Sequence, residues 1–107
     1  DRFEADVLRD IGMPAEIVMR HRLPHFMHIV SGYAAGYYSY MWSEVMDADA
    51  FAAFEETGDI FDRKTADRLK RYIYSAGNMR DPAEAYVKFR GRSPAIEGLL
   101  RNRGFVR

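Results

Sequence analysis

Cysteine is absent from all 107 residues. That excludes disulfides, thiolate metal sites and a thiol nucleophile together, and it agrees with a reducing compartment. Charge of one sign is absent too, because 16 Lys and Arg face 16 Asp and Glu. With the local charges also mixed, neither nucleic acid nor an anionic membrane is expected as a partner. No apolar run approaches the ~20 residues of a membrane span, and the opening residues do not read as a signal peptide. No alternating strand pattern exceeds three residues, and there is no phosphate loop or dinucleotide fingerprint. Ser31 and Ser39 lack a nucleophile-elbow context and a visible base.

What is present is apolar and aromatic. Hydrophobic residues make up 48% and aromatic residues 14% of the chain, which argues against disorder. The length suits one domain over residues 1–107 with a modest core. The chain opens on Asp1 and not on a methionine, so it is expected to be a piece of something longer.

Periodicity predicts an all-α fold, a compact bundle of about five or six short to medium helices. Phe3, Val7, Leu8 and Ile11 share one face of a first helix that Gly12 stops. Pro14 suits the start of a second helix to about His21, burying Ile17 and Val18, and Pro24 should exclude helix at Leu23. A strong helix is expected from about Tyr37 to Glu56. Its core stripe would be Tyr38, Met41, Trp42, Val45, Asp49 and Ala52, and Gly58 would end it. Asp62 caps a helix through about Ala76, closed by Gly77 and Asn78 as a left-handed pair. Asp81-Pro82-Ala83-Glu84 opens a helix that buries Ala85, Tyr86 and Phe89 and stops at Gly91. Ser93-Pro94 would cap a last helix to Arg103, with Ile96, Leu99 and Leu100 inside and Gly104 at its end. The charged run Asp59 to Arg71 reads as a solvated face with i, i+4 pairs. Arg101, Arg103 and Arg107 read as cations at a helix C-terminus.

Chemistry concentrates between His21 and Glu44. His21, His25 and His28 have a spacing that one unbroken helix would align for zinc, but Pro24 interrupts it, so no metal site is expected in this chain alone. Tyr33, Tyr37, Tyr40 and Glu44 form a second helical stripe, with Gly32 and Gly36 on either side of Tyr33 and His28 upstream. Gly32 and Gly36 argue for a mobile loop or a frayed helix start. Phenols and an imidazole can donate hydrogen bonds to a carbonyl oxygen that gains negative charge. Rings at such spacing also serve simply as packing, and the residues themselves leave the two readings open.

The run His28-Ile29-Val30-Ser31-Gly32-Tyr33-Ala34-Ala35-Gly36-Tyr37-Tyr38-Ser39-Tyr40-Met41-Trp42-Ser43-Glu44 resembles the C-terminal signature of the thimet oligopeptidase family of zinc metallopeptidases, nearest its peptidyl-dipeptidase and oligopeptidase A branch. Arg20 to Phe26, Asp47 to Phe51, Phe89 to Pro94 and Leu99 to Phe105 are similar to the same closing segment. The resemblance implies the C-terminal part of a larger helical peptidase acting on short peptides in the cytoplasm. It implies zinc held by an HExxH helix and a further glutamate elsewhere in the parent. By motif position Tyr40 resembles the phenol that stabilises the oxyanion, with His28 as its partner. Tyr33 and Tyr37 resemble substrate contacts carried by a loop that Gly32 and Gly36 make mobile. The departure is that no His-Glu pair occurs, since the three histidines are followed by Arg22, Phe26 and Ile29. The chain alone is therefore expected to bind no zinc and to be inactive. Its partners would be short peptides and the missing HExxH part, and its uncovered apolar faces would favour self-association. The alternative is a free-standing helical binding module without catalysis.

Overall fold

The computed structural model describes residues 2–106, which form helices and turns with no strand among them. They fall into two compact units that divide between Tyr37 and Tyr38. No helix is long and apolar enough to cross a membrane.

In the first unit the apolar spacing from Phe3 yields α1 (Arg2–Asp10). Gly12 takes a left-handed φ of +77°. Its N–H bonds the Arg9 carbonyl at 2.9 Å, and that of Met13 bonds Leu8 at 2.9 Å. This paired closure satisfies carbonyls that the helix end leaves open. The helix expected over 14–21 does not form. Pro14 to Ile17 make one turn, and the chain then runs irregularly to Arg22. Ile17 and Val18, expected to be buried, are 56% and 80% exposed. Two turns carrying two β-branched residues cannot offset the cost of helix nucleation without a face to bury. Pro24 also behaves differently from expectation, lying inside a single 3₁₀ turn, Leu23–His25. Its missing N–H is not needed there, because that turn is closed by Phe26 N–H on Leu23 at 2.9 Å. Arg22 ties the segment back to α1 through Glu4 at 2.6 Å.

The second unit holds α2 (Ser39–Glu55), α3 (Arg63–Leu69), α4 (Pro82–Arg90) and α5 (Glu97–Asn102). Asp62 accepts the Thr65 N–H at 2.7 Å to start α3. Asp81 accepts from Ala83 at 2.9 Å and Glu84 at 3.1 Å to start α4, with Pro82 in its first turn. Gly91, at φ +84°, ends α4. α3 keeps α-helical bonding only to Leu69, and Lys70–Tyr74 widen into a π turn. Gly77 is left-handed but Asn78 is not, so the expected pair reduces to one residue. In the charged run, Arg68 donates to the Phe89 carbonyl at 3.2 Å and to Thr65 Oγ1, which joins α3 to α4.

Burial centres on Ala53, Tyr86 and Phe89, with Met46, Ala50, Leu69, Tyr72 and Ile73 packed around them. Phe89 is 1% exposed, and its ring meets Tyr86 edge-on at 5.8 Å. Burying such a side chain stabilises by roughly 2–3 kcal/mol. Along α2 the stripe read from the sequence is covered only in its second half. Tyr38, Met41 and Trp42 are exposed, while Ala48, Asp49 and Ala53 are buried. A helix of 17 residues spans ~25 Å, and the partners in its own unit close over its C-terminal part. α5 starts later than expected, at Glu97, with Ile96 exposed and no side-chain cap from Ser93. The preceding residues are held otherwise: Arg92 Nη1 bonds the Ser93 carbonyl and its Nη2 reaches Asp49.

Candidate functional site

Two 3₁₀ turns, Met27–Val30 and Ala34–Tyr38, are joined across Ser31, Gly32 and Tyr33. Gly36 N–H bonds the Tyr33 carbonyl at 2.8 Å, and Ser31 Oγ bonds His28 at 3.3 Å. These local closures gather four rings. His28 lies 4.8 Å from Tyr37 and 5.6 Å from Tyr33. Tyr33 meets Tyr37 at 6.1 Å, and Phe26 stands edge-on to Tyr37 at 4.8 Å. Phe26 and Tyr37 are half-buried, whereas His28 and Tyr33 are exposed. The cluster thus presents an imidazole and phenols on an aromatic base, a set able to donate hydrogen bonds to a peptide carbonyl.

The tyrosine stripe is not continuous. Tyr33 lies in a turn, Tyr37 in a 3₁₀ turn, and Tyr40 on α2. Neither Gly32 nor Gly36 is left-handed, and a Cβ on either would meet nothing within 4 Å. The left-handed residue is Ala34, at φ +41°, a conformation that costs a side-chain-bearing residue about 1–2 kcal/mol. Of the histidines, His21 and His25 pair edge-on at 6.4 Å while His28 joins the tyrosines. Among the described residues no three His, Asp or Glu side chains converge on a metal position.

Tyr40 belongs to the second unit, as the second residue of α2, and is 75% exposed. One turn further on, Glu44 accepts two bonds from Arg103, at 3.1 and 2.6 Å. Arg103 was expected to face its own helix end, yet it crosses to α2. Arg107 lies outside the described residues.

α2 is anchored at its other end by a buried charge. Asp49, 2% exposed, accepts the Tyr86 hydroxyl at 2.6 Å and Arg92 Nη2 at 2.7 Å. Arg90 Nε donates to the Asp49 carbonyl at 3.1 Å, and its Nη1 donates to Glu56 at 2.8 Å. No buried side-chain polar atom among the described residues lacks a partner. Burial alone would raise the Asp49 pKa, but the Tyr86 and Arg92 bonds and both guanidinium charges bring it below the usual carboxylate value. Burial, then the Asp49 bond and charge, push the Tyr86 phenol well above its ordinary value. The Arg90 bond lowers Glu56. Sequence reasoning placed Asp49 on an apolar stripe and did not see this hub. The available signal was an acid on a core-facing position with two arginines flanking the Gly91 turn.

The sequence model of Peptidase family M3 matches residues 5–105. Oligopeptidase A of Haemophilus influenzae is 47% identical over 87 residues, covering 79% of this chain and 13% of that protein. A probable cytosolic oligopeptidase A of Arabidopsis thaliana is 48% identical over 85 residues, 76% of this chain and 12% of its own. Dipeptidyl carboxypeptidase of Escherichia coli is 38% identical over 107 residues, 97% of this chain and 15% of its own. The chain belongs to peptidase family M3. It spans 12–15% of the length of these relatives.

Proposed function

We propose that this chain is the C-terminal substrate-binding and oxyanion-stabilising part of a zinc-dependent oligopeptidase or peptidyl-dipeptidase that hydrolyses short peptides in the cytoplasm. The observation that carries the reading is the gathering of His28, Tyr33 and Tyr37 into one ring cluster. Membership of a peptidase family supplies the class of reaction. The zinc ligands of the parent are not among these residues. No histidine here is followed by glutamate, and among the described residues no set of side chains converges on a metal position. The residues present contribute binding and hydrogen-bond donation. By motif position Tyr40 is the donor to the oxygen that gains charge, and His28 is its partner histidine. Tyr33 and Tyr37 contact the peptide, carried by a loop that Gly32 and Gly36 keep mobile. By itself the chain lacks the HExxH glutamate to which the resemblance assigns water activation, and is inactive. Exposed Trp42, Phe61 and Phe105 mark faces that meet the rest of the enzyme or favour self-association.

The test is a peptidase assay on the 107-residue chain with added zinc, beside the longer reading frame that contains it. Activity is expected only in the longer protein. Tyr40→Phe should lower its kcat by roughly 10²–10³ with KM little changed, the usual loss for one oxyanion donor. Turnover by the short chain, or full activity in Tyr40→Phe, would overturn the reading.

A further inference from the structure

The helix that carries Tyr40 has a weakly built start. Tyr38, at its N-cap, makes no side-chain capping bond, and no acid in the first turn meets the helix dipole. Tyr40, Met41 and Trp42 are exposed, and full burial begins only at Ala48. Turns that bury so little depend on local bonds more than on the core.

The end of α5 reaches toward that half of α2. Gly98 lies so near Ala48 that a Cβ on it would sit 3.1 Å from the Ala48 backbone, which sets α5 directly against α2. Gly104 closes α5 with φ +76°, donating to Arg101 at 3.0 Å while Phe105 donates to Leu100 at 2.9 Å. That closure fixes the backbone of Arg103. From there Nε and Nη2 grip the two oxygens of Glu44. Glu44 follows Tyr40 by four residues, one turn along the same face. A planar fork on a carboxylate restrains orientation as well as distance, which a lysine cannot do.

We propose that Arg103 is a positioning residue for Tyr40, holding the first turns of α2 in register through its two-pronged bond to Glu44. The inference rests on the oxyanion role given to Tyr40 above. The Glu44 and Arg103 side chains are 43% and 44% exposed, so their pair adds little to global stability. Its effect is local, on the turns that carry the phenol.

Two measurements test this. In the 107-residue chain, Arg103→Met should speed hydrogen exchange of the amides at 43–46 by about two- to fivefold, the range of an exposed ion pair, and leave the melting midpoint nearly unchanged. Arg103→Lys should fall between, and the charge swap Glu44→Arg with Arg103→Glu should restore protection. In the longer peptidase the same series should lower kcat by a similar factor at constant KM, with Tyr40→Phe run in parallel. Unchanged exchange in Arg103→Met overturns the proposal, as does a swap that restores nothing or a change confined to KM. Loss of activity in Tyr40→Phe with full kcat in Arg103→Met overturns the positioning role alone. A fully active Tyr40→Phe removes both the oxyanion role and the positioning that depends on it.

Discussion

Replacing Asp49 by asparagine keeps the shape of the side chain and removes its charge from the centre of the second unit. The amide oxygen introduced by Asp49→Asn could still accept the Tyr86 hydroxyl, which lies 2.6 Å from Asp49 Oδ2. The Arg90 side chain, only 6% exposed, would keep Glu56 but lose the carboxylate 3.4 Å from its Nε. Arg92 would lose a 2.7 Å partner, though at 43% exposure water recovers part of that loss. Breaking one side of a buried pair costs about 3–5 kcal/mol. The exposure of Arg92 and the surviving Tyr86 bond place Asp49→Asn near the lower end, about 3 kcal/mol. For a domain of this size that corresponds to a melting midpoint lower by roughly 10–20 °C. Urea denaturation followed by far-UV circular dichroism measures it at neutral pH and again below about pH 4. The Asp49 pKa is lowered on folding, so its contribution is present above the unfolded value near about 4 and is lost as pH falls through the folded value. The difference between wild type and Asp49→Asn should therefore shrink in acid. A neutral-pH difference below about 0.5 kcal/mol, the scatter of an ordinary surface change, would refute the assignment of Asp49 as the charged hub of this core.

Other outcomes follow from the same structure. Phe89→Ala should cost about 3–5 kcal/mol, because a ring that is 1% exposed leaves a cavity when removed; a urea midpoint close to wild type would contradict that burial. Ala34→Gly relieves a left-handed alanine, a gain of about 1 kcal/mol offset by a similar entropic cost in the unfolded chain, so its melting midpoint should hold or rise slightly. Ala35→Gly, at ordinary φ, should lose about 0.5–1 kcal/mol, and equal effects at both positions would count against the left-handed turn. The Tyr86 phenol is raised on folding. Its stabilising contribution is complete below the unfolded value near about 10 and is lost as pH rises beyond it. Wild-type stability should accordingly fall above about pH 10, and Tyr86→Phe should show a shallower alkaline slope.

Local chemistry was legible wherever a few adjacent residues decide the outcome. Asp62, Asp81-Pro82 and Gly91 set helix ends where the sequence places them, because a cap needs only its own neighbours. Ala85, Tyr86 and Phe89 lie on the buried face that their spacing predicts. The segment from Pro14 to His21 looked helical by the same logic and is not, because a helix so short depends on a partner face that periodicity cannot see. The α2 stripe fails similarly. Spacing shows which residues share a face but not how far along the helix that face is covered.

For the candidate site, the residue types and their order carried the chemistry. The histidine and tyrosines of the run His28 to Glu44 are residue types able to donate hydrogen bonds to a carbonyl oxygen, or simply to pack. The sequence also determined, by itself, the all-helical class, most helix ends and membership of a peptidase family. Only the tertiary structure decided that His28, Tyr33 and Tyr37 meet through two 3₁₀ turns and not along one helix. It alone placed Asp49 between Tyr86, Arg90 and Arg92, and Arg103 on Glu44, 59 residues away. Caps and turns are governed by bonds across three to five residues, which a sequence displays directly. Ion pairs and ring contacts between distant segments depend on where the packed helices bring them, and that placement has no local signature.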